Sequence, residues 1–137
     1  MRNIIFAALL GVLAGCSDNV ALKGKVVFSD DKSPVPVGTV SFETETFSAR
    51  GELNPDGTFT VGSLKTNDGL PAGTYRVAIT NAVKVLSVSD DENFAVTEPL
   101  IDEKHADART SGITVDVTPS TKFIEIEVDR YQPDKKR

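Results

Sequence analysis

The chain has 137 residues, 39% of them hydrophobic and 26% charged, so it suits one globular domain and excludes a disordered or multi-span membrane chain. A single Cys and a single His exclude a disulfide framework and a Cys/His zinc cluster. The formal net charge of -5 excludes the basic face that nucleic acid requires, so we expect no nucleic-acid partner.

The first fifteen residues have the features of a secretory signal peptide. Arg2 supplies a positive charge, and residues 4–12 form an apolar run that is too short for a transmembrane helix. The tetrad Leu13-Ala14-Gly15-Cys16 resembles the lipobox of bacterial lipoproteins. The resemblance implies cleavage before Cys16, a diacylglyceryl group on its thiol and acylation of its new amine. The alternatives are an ordinary signal peptide with an unrelated Cys, or a buried N-terminal helix.

The lipobox implies a protein of the cell envelope that is anchored to a membrane through acyl chains on Cys16. Residues 1–15 would be the signal peptide and residues 16–20 the lipidated Cys with a short linker. Ser17 follows the Cys, and by resemblance to Gram-negative lipoproteins this favours the outer over the inner membrane. The body is acidic, so we expect the acyl chains rather than charge to hold it there. Residues 129–137 form a basic tail, predicted to be solvated, with contact to an anionic headgroup or polymer as the alternative.

From Val20 onward the dominant period is two, which puts one apolar and one polar face on each segment. Such alternation is typical of antiparallel sheets that are covered on one side. Seven short segments therefore predict an all-β fold, a single seven-stranded antiparallel β-sandwich over residues 21–128. The predicted strands cover residues 22–28, 39–43, 47–53, 58–61, 74–80, 113–118 and 124–128.

Turn residues separate these segments. Asn54-Pro55-Asp56-Gly57 combines a fixed φ at Pro55 with a permitted positive φ at Gly57, which predicts a tight hairpin. Residues 119–122 are expected to close the last hairpin. The stretch Ser33-Pro34-Val35-Pro36 lacks two backbone donors and predicts an exposed extended loop.

Two further segments have predicted roles. Tyr75 follows Pro71-Ala72-Gly73-Thr74, and its hydroxyl is expected to turn back onto upstream backbone, so Gly57, Gly73 and Tyr75 are assigned structural roles. The connection of residues 81–112 is much longer than a usual link and is the candidate binding surface. Its residues 83–88 are compatible with an extra edge strand or with a loop.

Two stretches resemble carboxypeptidase regulatory-like (transthyretin-like, prealbumin-type) domains, which read Asp-Gly-x-Phe and then Leu-x-x-Gly-x-Tyr-x-Val. The matching residues are Asp56-Gly57-Thr58-Phe59 and Leu70-Pro-Ala-Gly73-Thr-Tyr75-Arg-Val77. Residues 103–115 resemble the ending of a bacterial lipoprotein subgroup with this domain, with His105 where Tyr is expected. The resemblance implies a transthyretin-like sandwich that acts as an accessory or interaction domain.

The chain offers few residues for catalysis or metal binding. His105 lies in a polar stretch without an identifiable nucleophile. The hydroxyisourate hydrolases among transthyretin relatives use a C-terminal Tyr-Arg-Gly-Ser and several His residues, and this chain has neither. Asp30-Asp31 and Asp90-Asp91-Glu92-Asn93 offer oxygen ligands, but their spacing does not match a calcium loop. We therefore expect a non-enzymatic binding or scaffolding module with no cofactor and with an envelope protein, peptide or glycan as partner. The alternatives are a purely structural lipoprotein, a small hydrolase built around His105, or a calcium-dependent protein that uses residues 81–112.

Overall fold

The computed structural model describes residues 19–62, 68–90 and 94–133. Within these ranges the chain is all-β, as predicted, and its one helical segment is the 3-10 helix Glu103–Ala106. The signal peptide (1–15), Cys16 and residues 134–137 of the tail lie outside the described residues. The strands are β1 (Asn19–Val20), β2 (Lys23–Phe28), β3 (Thr39–Glu43), β4 (Ser48–Glu52), β5 (Thr58–Thr60), β6 (Leu70–Pro71), β7 (Gly73–Thr80), β8 (Val83–Ser89), β9 (Phe94–Pro99), β10 (Thr114–Val117) and β11 (Phe123–Val128).

Four strands form an antiparallel sheet in the order β10-β7-β3-β4. Its second strand, β7, buries Tyr75, Val77 and Ile79 and exposes Thr74 and Arg76. Successive side chains of a strand point to opposite faces, so this alternation turns one face of the sheet toward the core. The sequence pattern therefore identified the inward residues of this strand.

Three strands form a second sheet in the order β11-β2-β5. β5 is antiparallel to β2, but β11 runs parallel to it, with Phe123 opposite Lys23 and Val128 opposite Phe28. The prediction of a wholly antiparallel arrangement is therefore wrong at this pair. Alternation looks the same in both strand directions, so the sequence pattern did not contain the direction of β11.

Both turns that were expected to close hairpins connect strands of different sheets. The prediction is confirmed in part at the first turn, where the Asn54 N–H donates to the Thr58 carbonyl at 2.8 Å and Arg50 forms an antiparallel bridge with Gly62. The turn at residues 54–57 is closed by the Gly57 N–H, which donates to the Asn54 carbonyl at 2.8 Å. It links β4 of the four-stranded sheet to β5 of the three-stranded sheet. Residues 118–121 link β10 to β11 in the same way, and the Thr121 N–H donates to the Thr118 carbonyl at 3.0 Å. Local turn chemistry sets the reversal of the chain but not which strands pair.

Side chains from both larger sheets meet in one hydrophobic core. The ring of Phe42 in β3 lies 5.9 Å from that of Phe59 in β5 and 6.3 Å from that of Tyr75 in β7. Gly24 in β2 leaves the space that the Phe59 ring occupies, because a Cβ at this position would overlap the ring. The Phe42–Phe59 contact joins the two sheets, whereas the Phe42–Tyr75 contact lies within the four-stranded sheet. Both contacts add to the free energy of area burial.

The segment Ser33-Pro34-Val35-Pro36 is not an exposed loop throughout. Val35 is fully buried, and its N–H donates to the Val26 carbonyl at 3.0 Å. Pro34 bridges to Val27, and both prolines stay exposed. The prolines therefore restrict the backbone as expected, while the apolar residue between them enters the core.

The domain has two ends that differ in what they carry. β2, β7 and β11 all begin at one end, where β1 pairs with β6, and we call it the N-terminal end. They finish at the distal end, where Thr80 leads toward β8 and Val128 leads toward the tail. The eight residues of β7 separate the two ends by about 23 Å.

Candidate functional site: the β8–β9 hairpin

The long connection contains a two-stranded antiparallel hairpin at the distal end of the domain. β8 and β9 pair from Val83 opposite Pro99 to Ser89 opposite Phe94. At its base, Asn81 adopts a left-handed φ of 58°, which Asn tolerates better than most residues. Ala82 is buried there, and its carbonyl accepts the Leu100 N–H at 2.8 Å. The hairpin is thus attached firmly at its base.

One face of the hairpin is apolar and exposed. The register puts three pairs on this face: Val83 with Pro99, Val85 with Thr97, and Val88 with Ala95. The exposed fractions of Val85 and Val88 are 56% and 66%. Because none of the six residues is charged, this face is suited to burial against an apolar partner.

A β-bulge adds a further apolar residue to the hairpin. The register shifts between Val85 and Ser87, which leaves Leu86 as the extra residue, and its side chain is 53% exposed. Two adjacent apolar residues, Val85 and Leu86, interrupt the period of two. This interruption is the sequence signal for the bulge, which the prediction of an edge strand over residues 83–88 did not include.

Both strands of the hairpin also have an open edge. Within the described part of the chain, β8 and β9 pair only with each other. Each strand therefore presents one row of backbone N–H and C=O groups without a strand partner. Such an edge is a template for the addition of another strand. The hairpin thus combines an exposed apolar face with two open strand edges.

The chain that returns from the hairpin is fastened to the segment after β11. Ile101 bridges to Arg130, and the Tyr131 N–H donates to the Leu100 carbonyl at 3.0 Å. The Asp102 N–H donates to the Asp129 carbonyl at 2.9 Å. Residues 129–131, assigned to a solvated tail from sequence, therefore pair with the returning chain and support the hairpin base.

His105 also binds the segment after β11, and its side chain is only 3% exposed. Its Nε2 accepts the backbone N–H of Asp129 at 3.0 Å, while Nδ1 is buried without a well-aligned hydrogen bond. Burial lowers the pKa of His105, and the charge of Lys104 acts in the same direction. Asp129, Asp102 and the Ser111 backbone oppose that fall in pKa. The neutral imidazole therefore acts as a hydrogen-bond acceptor for the backbone.

The hydroxyl groups near His105 in sequence are also bound to backbone. Thr110 Oγ1 donates to the Lys104 carbonyl at 2.7 Å, and Ser111 Oγ accepts the Ile113 N–H at 3.2 Å. Neither hydroxyl hydrogen-bonds to the imidazole in the part of the chain that the structure describes. The residues weighed from sequence for a hydrolase thus lie close in the chain without forming a nucleophile and base pair.

The acidic residues that offered oxygen ligands for calcium are already ion-paired at one of the two places. Arg130 contacts Asp30 at 2.9 Å and Asp31 at 3.2 Å, and its guanidinium lies 3.7 Å from the centre of the Phe28 ring. Hydrogen bonds from Ser33 lower the pKa of Asp31 to about 2. No cluster of three metal-ligating side chains occurs among the described residues. Residues 91–93 of the second acidic stretch lie outside them.

The residues given structural roles occupy three different environments. The Tyr75 hydroxyl donates to the Pro71 carbonyl at 2.6 Å, and burial raises the pKa of the phenol. Gly57 has a φ of 81°, and a Cβ there would lie 2.7 Å from the Val26 carbonyl oxygen. Gly73 starts β7, and a Cβ there would meet nothing closer than the Tyr75 ring at 3.8 Å. The geometry therefore demands glycine at position 57 but not at 73.

Two surface grooves are lined by described residues outside the hairpin. One, of about 540 Å³, lies between the outer face of the four-stranded sheet and residues 108–109, and it is polar, with Glu43, Glu45, Arg76 and Arg109 in its lining. The second, of about 650 Å³, lies at the N-terminal end between β1 and the β10–β11 turn, and Lys23 and Lys122 line it. The sequence analysis singled out neither groove, because each combines residues far apart in the chain.

Among the described residues, no helix has the length and apolar character needed to cross a membrane. No protein-family model and no curated protein matches the chain. Among solved structures it is similar to a 9R-lipoxygenase from Cyanothece PCC8801, with a TM-score of 0.40 and 15% identity over 98% of this chain and 19% of that chain. The chain thus spans about a fifth of the length of that protein.

The lipoxygenase is an enzyme, so this comparison contradicts the prediction that the chain is not an enzyme, and that prediction is withdrawn. A similarity with a TM-score of 0.40 carries no activity or substrate from the lipoxygenase to this chain. The conclusions below therefore rest on the geometry of the chain itself.

Proposed function

We propose that the chain is a lipid-anchored protein of the cell envelope that uses the β8–β9 hairpin to dock an extended, apolar segment of a partner protein. The observation that carries this proposal is the uncharged, exposed face of the hairpin, with Val85 and Val88 both more than half exposed. A soluble domain rarely leaves such a face uncovered without a partner. The Leu13-Ala14-Gly15-Cys16 tetrad supports the anchor, and Ser17 favours the outer membrane.

The proposed fold of residues 21–128 is a transthyretin-like sandwich of the carboxypeptidase regulatory-like type. Two sheets of four and three strands around one core support it, since they supply the expected seven strands. The motif that carries the resemblance includes Gly57 at the turn between the sheets and Tyr75 at the corner after β6. On this reading β8 and β9 are an insertion that a seven-stranded sandwich does not need.

The position of the hairpin indicates which occupant it takes. Under the proposal, Asn19 is the third residue after the acylated Cys16, so at most about 10 Å of chain separates the N-terminal end from the bilayer. The hairpin leaves the opposite end, about 23 Å further away along β7. Its apolar face is therefore presented to the aqueous compartment, where a strand of another envelope protein can add to the free edge of β8 or β9.

The anchor is tested by Cys16→Ser. We expect the variant to lose incorporation of radiolabelled palmitate, to keep its signal peptide and to leave the outer-membrane fraction. Ser17→Ala is the matched control, because it changes a hydroxyl next to the anchor and keeps the thiol. Palmitate labelling of the Cys16→Ser variant would refute the anchor.

Docking by the hairpin is tested by the triple variant Val85→Thr, Leu86→Thr and Val88→Thr. Thr keeps β-propensity, and the three side chains are exposed, so the free energy of unfolding should change by less than about 1 kcal/mol. A photo-crosslinking residue placed at Thr97, which is exposed and lies on the same face as Val85 and Val88, should give one discrete adduct between the lipidated protein and another protein in cells. The triple variant should lose this adduct.

Val37→Thr serves as the matched control, since Val37 is 40% exposed and lies outside the hairpin. It should keep the adduct. An adduct with a second copy of the chain or with lipid, or an adduct that survives the triple substitution, would contradict the proposed occupant.

A further inference from the structure

The groove at the N-terminal end carries a positive pair beside an exposed aromatic ring. Lys23 begins β2, and its N–H donates to the carbonyl of Lys122 at 3.2 Å, which places the two residues side by side. Phe123 begins β11 directly opposite Lys23 in the parallel register, and its side chain is 57% exposed. The groove of about 650 Å³ between Lys122 and β1 is open next to them.

Among the described residues, both lysines are available to bind an external anion. Neither takes part in an ion pair within the described ranges, although the described surface contains several such pairs. The nearest acidic residue on the same face of β11 is Glu125, which lies opposite Lys25 and further from the end. The protein has a net charge of -5, so the two lysines form a local positive patch on a chain that is negative overall. It lies at the end where the chain enters the domain.

The length of chain outside the described residues limits where this end can be. Asn19 in β1 is the third residue after Cys16, so the linker reaches at most about 10 Å. β1 pairs with β6, which ties the start of the chain to the domain. If Cys16 carries the anchor, the groove and both lysines lie at the bilayer surface.

We propose that the N-terminal end docks on an anionic bilayer surface, with Lys23 and Lys122 against lipid phosphates and Phe123 in the interfacial layer. This inference rests on the proposed acylation of Cys16. Lysines near an anionic surface are attracted to it, and aromatic rings partition into the interface. Docking sets the orientation of the whole domain and holds the β8–β9 hairpin away from the lipid.

The test uses the mature lipidated protein in nanodiscs of phosphatidylcholine, with or without phosphatidylglycerol, doped with a lipid that carries a paramagnetic headgroup. Paramagnetic broadening of the backbone amide signals reports distance from the bilayer. In the anionic discs we expect strong broadening at residues 23 and 122–123 and none at residues 85–88. Without phosphatidylglycerol the difference should diminish.

Substitution of the lysines measures how much their charge contributes to the docked-to-undocked ratio. Each lysine near an anionic surface favours the docked state about fivefold, so Lys23→Gln with Lys122→Gln should lower the docked-to-undocked ratio roughly 25-fold. Lys84→Gln is the matched control, because it removes the same charge from the distal hairpin and should leave the ratio unchanged. Phe123→Ser should lower the ratio in both kinds of disc.

The outcomes separate this inference from the proposed anchor. Failure of the purified protein to enter nanodiscs through an acylated Cys16 would refute the anchor and, with it, this inference. A protein that enters the discs but shows equal broadening at both ends, or a ratio that the lysine pair does not change, would refute the docking surface alone. Broadening confined to residues 85–88 would reverse the assigned orientation.

Discussion

Tyr75→Phe measures what the corner hydrogen bond contributes to stability. The phenol is 2% exposed, and its hydroxyl donates to the Pro71 carbonyl at 2.6 Å. Phe keeps the ring and removes this donor only. Since Pro71 is exposed, water can replace the lost donor, and the cost should be close to the net value of one hydrogen bond, about 1 kcal/mol.

The ring of Tyr75 makes a separate and larger contribution. It packs edge-on against Phe42 at 6.3 Å and against Phe47 at 6.2 Å, and such pairs contribute about 0.5–1.5 kcal/mol each beyond area burial. Tyr75→Leu removes the hydroxyl and both ring contacts, so it should cost about 3 kcal/mol. The two substitutions therefore divide the corner into a polar part and a packing part.

Equilibrium urea unfolding of residues 17–137, followed by circular dichroism, measures both costs. With a slope of about 2 kcal/mol per M, the midpoint should fall by about 0.5 M for Tyr75→Phe and about 1.5 M for Tyr75→Leu. Tyr131→Phe is the matched control, because the Tyr131 side chain is half-buried and has no hydroxyl hydrogen bond among the described residues. Equal costs for Phe and Leu at position 75, or no cost for Phe, would refute the reasoning.

Two further predictions concern the turn and the hairpin base. Gly57→Ala should lower the free energy of unfolding by about 2–4 kcal/mol, because φ is 81° and the new Cβ would lie 2.7 Å from a carbonyl oxygen. Gly73→Ala is the control and should change the free energy of unfolding by less than about 0.5 kcal/mol, because a Cβ there has space. Equal costs for the two variants in urea unfolding would contradict the assigned geometry. Burial holds the pKa of His105 below 6.5, so the unfolded chain binds a proton that the folded chain does not. The free energy of unfolding should therefore keep its full value above pH 6.5 and should fall below that pH by up to about 1.4 kcal/mol per pH unit. His105→Gln should remove this pH dependence between pH 7.5 and 5. An unchanged dependence in the variant would show that another group titrates.

Local chemistry was sufficient for some features of this protein. The alternation around Phe42, Tyr75 and Val77 identified the residues that face the core, because side-chain direction in a strand depends only on position along that strand. The turn at residues 54–57 was readable for a similar reason, since Pro and Gly restrict or extend φ within the turn itself.

The pairing of strands required the tertiary structure. β11 lies parallel to β2 about 100 residues earlier in the chain, and an alternating segment carries no mark of its neighbour or of that neighbour's direction. The same holds for the burial of His105, which follows from a hydrogen bond to Asp129 and from the packing around it. The residues next to His105 in the sequence are mostly polar and give no sign of this burial.

The candidate site divides in the same way. The apolar residues at 83, 85 and 88 were visible in the sequence and compatible with an edge strand. Only the structure decides that they form one exposed face of a hairpin, and that Lys23, Lys122 and Phe123 meet at the opposite end of the domain. Periodicity is a short-range property of one segment, whereas exposure depends on whether some distant segment covers it, and that is settled when the whole chain packs.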